Sequence, residues 1–269
     1  MQGLQPSTFR AITELFHRIS GIRLVEAKQA LVYGRLQKLA LDEGQGQDVE
    51  AFAQRLIKGQ VPDRLMVELV NRLTTNETYF FREPQHFEDL RKRAEAAKSS
   101  KEFVLWSAAS SSGEEAYSIA MLLADCLGLK HPWSIYGTDL STNMVEAARQ
   151  ALYPLERGRN IPTEYLKRYC RKGGGPYEGQ FLMNAELRAR AQFMGANLMQ
   201  PLPKELPQFD IIFLRNVLIY FDAAAKADIV KRVIGRLKPQ GVLYTGHAES
   251  LTGLGLPLRA LAPAVYCHA

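Results

Sequence analysis

The sequence predicts a doubly wound α/β sheet, entered through a small all-α unit and interrupted by an inserted β subdomain. Three observations predict it. Between Ser7 and Leu73 apolar residues recur at helical spacing; from Phe103 onward strand-like and helix-like stretches alternate; and the glycine-rich run Gly173–Gly179, GGGPYEG, breaks that alternation.

The first helix is predicted from Phe9, Ile12, Leu15, Phe16 and Ile19, with Ser7 as its N-cap. The second starts at about Glu26, runs through Leu31, Val32, Leu36 and Leu39, and stops near Gly44 and Gly46. Val49 to Lys58 and Pro62 to Leu73 read as two more helices. Thr74 to Arg82, TTNETYFFR, abandons the period and packs polar with aromatic residues before Pro84 opens another helix. The alternation that follows is strand FVLWSA from Phe103, helix from Glu114, strand WSIYGTD from Trp133 and helix from Ser141. Later come strand FDIIFLRN from Phe209, a helix from Asp222 to about Leu237, and strand GVLYTG from Gly241. Between Tyr153 and Leu198, Phe181, Met183 and Phe193 flank the glycine run and permit short strands. The expected division is an all-α unit over 1–73, a linker over 74–83 and a sheet domain over 84–269, with a β hairpin at about 172–195.

Apolar residues make up 46% of the chain and charged residues 23%, with no run of about eighteen apolar residues and no signal-peptide pattern at the start, so a soluble, cytoplasmic protein is expected. Cys126, Cys170 and Cys267 lie far apart without metal-ligand spacing and read as thiols in a reducing compartment. A net charge of +6 favours acidic partners. Nucleic acid, anionic lipid, an acidic helix and simple solubility all remain open on charge alone.

Open α/β sheets bind ligands outside the carboxyl ends of their strands. After the first strand, SAASSSGEEA (Ser107–Ala116) offers small side chains, Gly113 and the unpaired amides of a helix N-terminus to a carboxylate, with Glu115 near enough to take an amino group. After the second, Asp139 stands where an acidic residue accepts from ribose hydroxyls; capping the next helix is its alternative role. The loop lacks G-x-G-x-x-G, which disfavours a nicotinamide or flavin cofactor.

Taken together, TTNETYFFR, WSAASSSGEEAYS, GTDLS, ANL (Ala196–Leu198), FLRNVLIYF (Phe213–Phe221) and GHAES (Gly246–Ser250) occur in an order and spacing that resembles the CheR-type methyltransferases of chemotaxis receptors. The resemblance covers nearly the whole chain. It implies a methyltransferase sheet, S-adenosylmethionine as cofactor with S-adenosylhomocysteine as product, no metal, and esterification of glutamates on the cytoplasmic helical region of receptors. By position it implies that Asn76, Thr78 and Arg82 reach the cofactor from the linker, that Glu115 holds its methionine end and Asp139 its ribose, that Asn197 and Leu198 frame the adenine, and that Arg215 and Asn216 close the pocket. Arg82 is assigned to orient the acceptor carboxylate or the cofactor, and Tyr220 the methyl group; Tyr220 falls one helical turn from Asn216 if that segment is helical, and is otherwise a buried aromatic.

In the second helix Lys28, Arg35 and Lys38 stand at i, i+7 and i+10, a stripe that would meet an acidic receptor helix or simply be solvated. For the Gly173–Gly179 hairpin the resemblance implies a second contact, with a receptor's carboxy-terminal peptide; a purely structural turn is the alternative. Two departures stand out: Ser110, Ser111 and Ser112 where the family often has threonine before the glycine, and Ala248 where its GHSE motif has serine, which favours a structural role for His247. Membrane insertion is not expected. A nucleic-acid methyltransferase is the enzymatic rival, but LRNVLIYF lacks the Pro-Pro-aromatic run that amino-group methylases place there, and no cysteine lies nearby for base-carbon chemistry. A cofactor-binding adaptor without catalysis is the other rival.

Overall fold

A computed structural model describes residues 3–44, 46, 48–99 and 102–269. Four helices open the chain: α1 (Pro6–Ser20), α2 (Gln29–Asp42), α3 (Val49–Ile57) and α4 (Asp63–Leu73). Their apolar stripes close on a core of their own, with Ile12, Phe16, Val32, Leu36, Phe52 and Leu69 buried together. Helix α1 does not start on a Ser7 cap. Pro6 occupies its first turn, where a missing N–H costs nothing, and Gln5 at the cap makes no side-chain bond. Glu26–Lys28 is a 3₁₀ turn, so α2 begins at Gln29, and left-handed Gly44 follows its end.

Residues 74–83 carry no helix or strand and lead into α5 (Pro84–Ala96). The remaining elements are β1 (Phe103–Ala108), α6 (Glu114–Cys126), β2 (Trp133–Asp139), α7 (Thr142–Gln150), β3 (Leu152–Pro154), α8 (Thr163–Tyr169), β4 (Cys170–Lys172), β5 (Gln180–Met183), the single turn α9 (Ala185–Arg188), β6 (Ala191–Gly195), β7 (Phe209–Leu214), α10 (Ala223–Ile234), β8 (Leu237–Thr245), β9 (Leu258–Ala262) and β10 (Val265–His268).

The main sheet has the order β6-β2-β1-β7-β8-β10-β9, with β6 to β8 parallel and the last two strands antiparallel. Every residue of β1 is buried, because helices cover both faces. Phe103 and Leu105 join the core beneath α5 and α6, while Val104 and Trp106 face the core beneath α10, as a period of two requires. Strand β1 leads outward to β2 on one side, whereas β7 returns to its other side; the crevice between β1 and β7 is therefore the topological switch point.

Three expectations are corrected. The inserted sheet is three-stranded and antiparallel, β3-β5-β4, and runs from 152 to 183; the segment 191–195 instead pairs in parallel with β2 as an edge of the main sheet. Phe193 belongs there because its ring lies on Gly137, where a Cβ would come within 2.3 Å of it. The last helix ends at Ile234, and Leu237 already pairs with Phe209 as the first residue of β8.

Candidate functional site

Loops leaving β1, β2, β6 and β7 converge at the carboxyl edge of the sheet, and residues 74–82 fold over them. Together they enclose one cavity with about 930 Å³ of empty space, counting its open mouth. All ten residues expected to bind cofactor or act on it line this cavity: Asn76, Thr78, Arg82, Glu115, Asp139, Asn197, Leu198, Arg215, Asn216 and Tyr220. Ser20, the last residue of α1, and Ile22, just beyond it, complete the wall, so the helical unit contributes directly to the site.

Backbone strain is concentrated here. Among the described residues seven non-glycine residues have positive φ, and five of them, Phe81, Glu83, Ala109, Ser111 and Asn216, belong to these loops. Such conformations cost on the order of 1–3 kcal/mol each and persist only where the surroundings over-determine them.

Two carboxylates define the floor. Asp139 is 7% exposed and accepts from the Ser111 amide at 2.8 Å and the Ser141 amide at 2.8 Å. Burial pushes its pKa up to about 6 against the pull of those amides. Asp139 is not the helix cap; Ser141 caps α7, accepting from the Met144 amide. Each Asp139 oxygen keeps a further lone pair for a hydroxyl at the cavity wall. Glu115 accepts from the Ser107 hydroxyl at 2.7 Å and from Arg215 at 2.8 Å. Burial raises its pKa, and the Arg215 charge opposes the rise.

Arg215 is the hub. Its side chain is only 1% exposed, and it bridges Glu115 to Glu83 at 3.0 Å while donating to the Arg82 carbonyl. Glu83 also accepts from the Asn216 side chain at 3.1 Å. Burial alone would raise the Glu83 pKa, but Arg215 and Asn216 outweigh it and the net shift is downward. Neither Glu83 nor its role is signalled by the sequence, since the partners lie more than a hundred residues away.

Asn216 is left-handed at φ 57° and Leu218–Tyr220 forms a 3₁₀ turn, so Tyr220 does not sit one α-helical turn from Asn216; both reach the cavity from the two limbs of this loop. Burial raises the Tyr220 pKa and keeps its phenol protonated. Arg82 packs its guanidinium over the Tyr79 ring, 5.4 Å from the centroid, and donates to the Glu77 carbonyl at 3.1 Å. Asn197 donates to the Ile19 carbonyl at 2.7 Å and accepts from the Met199 amide at 2.9 Å, which fixes the loop after β6 to the end of α1.

The cationic stripe of α2 is not assembled as expected. Lys28 lies in the 3₁₀ turn ahead of the helix, out of α-helical register with the others. Arg35 donates to the Leu73 and Thr74 carbonyls, both at 3.0 Å, and so caps the end of α4. Lys28 and Lys38 are exposed, and none of the three lines the cavity.

His247 is exposed, with its ring edge-on to buried His86 at 4.8 Å. With Glu83 the two histidines form the group of side chains nearest to a metal-ligand set among the described residues. The Glu83 carboxylate is already occupied by Arg215 and Asn216, and the Arg215 charge beside it repels a cation, so the donor set does not suit a metal. The working residue of GHAES is instead Glu249, 5% exposed, which accepts from the amides of Asn216, Ile219 and Gly246 at 2.6, 3.2 and 2.7 Å.

The family described as CheR methyltransferase, SAM binding domain, matches residues 76–262. A chemotaxis protein methyltransferase of Salmonella typhimurium is 37% identical over 256 residues, covering 93% of this chain and 86% of that protein. Its counterpart from Escherichia coli is 38% identical over 252 residues, covering 93% and 87%. Chemotaxis protein methyltransferase 2 of Pseudomonas aeruginosa is 36% identical over 265 residues, covering 97% and 92%. Among solved structures, magnesium protoporphyrin IX methyltransferase of Synechocystis with bound SAH is 15% identical with a TM-score of 0.36, covering 80% of this chain and 70% of that one.

Proposed function

We propose, from the premise that this chain belongs to the CheR methyltransferase family, that it transfers a methyl group from S-adenosylmethionine to glutamate side chains of chemotaxis receptors. The observation that carries this reading is the convergence of linker, switch-point loops and helical unit on one cavity lined by two acids, Asp139 and Glu115. The residues fit the cofactor. Asp139 supplies acceptors for a ribose, Glu115 an acceptor for an ammonium, and the amides at the start of α6 a seat for a carboxylate. Bound there, the cofactor supplies a methyl group on a positively charged sulfur.

The acceptor needs no general base, because a glutamate with a pKa near 4.3 is already ionised at neutral pH. The work left to this chain is positioning and exclusion of water. Arg82, at the mouth, orients the acceptor carboxylate; the protonated Tyr220 phenol orients the transferring methyl group. Lys28 and Lys38 remain available to an acidic receptor helix, with Arg35 holding the linker behind them. The edge strand β4, largely exposed, is the place for a receptor's carboxy-terminal peptide to add as a further strand. No helix among the described residues is long and apolar enough to cross a membrane.

Methyl transfer from labelled cofactor to receptor-containing membranes, followed by mild alkali, tests the reaction. A glutamyl ester releases volatile labelled methanol; label that survives alkali would overturn the carboxylate acceptor.

The Asp139 assignment has its own test. Below pH about 6 the carboxyl gains a proton and loses acceptor capacity, so S-adenosylhomocysteine affinity should fall as the pH drops from 7.5 to 5. Asp139→Asn should bind about tenfold more weakly at pH 7.5, in line with the loss of one or two hydrogen bonds, and lose most of this pH dependence. Calorimetry that finds the same pH profile in the variant would place the titrating group elsewhere.

A further inference from the structure

Asn71 lies in the last turn of α4, in the helical unit, and is 8% exposed. A polar side chain this deep needs partners, and Asn71 finds them across the boundary with the sheet domain. Its Oδ1 accepts from the Ser141 hydroxyl at 3.0 Å, and its Nδ2 donates to the Thr142 hydroxyl at 3.0 Å and to Glu68 at 3.1 Å.

These contacts belong to a closed circuit of hydrogen bonds. From Asn71 it passes to Ser141, whose amide donates to Asp139 at 2.8 Å. The other Asp139 oxygen accepts from the Ser111 amide at 2.8 Å, and the Ser111 hydroxyl donates to the Asn76 carbonyl at 3.1 Å. The Asn76 side chain donates to the Thr74 hydroxyl at 3.2 Å, and Thr74 returns a bond to the Asn71 carbonyl at 3.1 Å. One ring therefore ties together α4, the linker and the loops after β1 and β2. Arg35 is attached to it through the Thr74 carbonyl, which links the ring to the face of the helical unit that carries Lys38.

We infer that Asn71 is a positioning residue for cofactor binding, setting the Asp139 carboxylate and the strained Ser111 backbone through this ring. The inference rests on the proposed cofactor site. Asn71 touches neither the cavity nor the reacting atoms; its side chain acts through Ser141, while the bond from Thr74 ends on its backbone carbonyl. Because the ring spans both units, whatever shifts α4 also shifts Asp139, and by linkage occupation of the cavity stiffens the joint between them.

The test uses the full chain and S-adenosylhomocysteine as probe, read by calorimetry beside urea unfolding. Asn71→Ala should weaken binding about tenfold and raise the cofactor KM by a similar factor, with kcat within about twofold. Ser141→Ala and Thr74→Val cut the ring at its two other joints and keep the question open if Asn71→Ala fails to fold. In the Asn71→Ala/Ser141→Ala double variant the loss should be clearly less than the product of the single losses, since both break one path. Lowered stability with unchanged S-adenosylhomocysteine affinity, or fully multiplicative losses, would make Asn71 a purely structural residue and overturn the inference. A wild-type protein that fails to bind S-adenosylhomocysteine would instead overturn the cofactor site itself.

Discussion

Arg215→Met is expected to abolish methyl transfer and to destabilise the protein by about 3–5 kcal/mol, the usual cost of removing one partner from a buried ion pair. The guanidinium is 1% exposed and forms ion pairs with both Glu83 and Glu115, whose side chains are 15% exposed. Without it, two partly buried carboxylates face each other across the space it filled. Both then lose the attraction that lowers their pKa, so burial and mutual repulsion raise them. Groups whose folded pKa lies above the unfolded value stabilise at low pH and lose that contribution as pH rises through the folded pKa. The variant should therefore unfold more easily at pH 7.5 than at pH 5, relative to the parent. Adding Glu83→Gln and Glu115→Gln should recover much of the stability but none of the activity, because in the proposed site the Glu115 charge receives the cofactor's ammonium. An urea midpoint for Arg215→Met within a few tenths of the parent's at pH 7.5 would show that the three charges are not energetically linked.

What was legible in the sequence divides along a physical line. Local periodicity placed β1, β2 and β7 because strands covered on both faces are continuous apolar runs, and it placed α1 to α4 because each buries one stripe. Strand-to-helix loops pointed to Glu115 and Asp139, and the resemblance in motif order and spacing to the other eight residues that line the cavity, three of them in the linker. Side chains whose partners are distant in sequence were misread or missed. Arg35 looked like part of a surface stripe, yet its partners are carbonyls 38 and 39 residues further on. Nothing local distinguishes that arginine from a solvated one.

The same limit applies to the inserted sheet. Phe193 was read as part of a hairpin because it follows the glycine run closely, but its pairing is decided by Gly137, which clears room for its ring on the neighbouring strand. Tyr220 was referred to Asn216 by helical spacing, yet Asn216 adopts the left-handed region and breaks the turn between them. In GHAES the histidine is the conspicuous residue by type, whereas the structure employs the glutamate two residues later. A carboxylate that serves only backbone amides leaves no charge partner to find by pattern.

That glutamate carries the remaining large effect. Glu249→Ala should cost on the order of 3 kcal/mol or more, because it strips the acceptor from three amides, each worth about 1–3 kcal/mol when left unpaired out of water. The affected amides are Asn216, Ile219 and Gly246, and the first belongs to the left-handed residue two positions past β7 in the cavity wall. Gly246 approaches so closely that a Cβ there would come within 2.7 Å of both Glu249 Oε2 and Asn216 Nδ2. With the amides released, Asn216 has no reason to keep its strained backbone, and Tyr220, three residues past Val217, moves with it. S-adenosylhomocysteine affinity should therefore fall along with stability, while Glu249→Gln, which keeps one carbonyl acceptor but turns an amide donor toward a backbone donor, should fall between the two. Ser250→Ala, at the exposed neighbouring position, serves as the control and should leave urea midpoint and affinity unchanged. If Glu249→Ala unfolds and binds like the Ser250→Ala protein, the turn is held by packing alone and the carboxylate is dispensable.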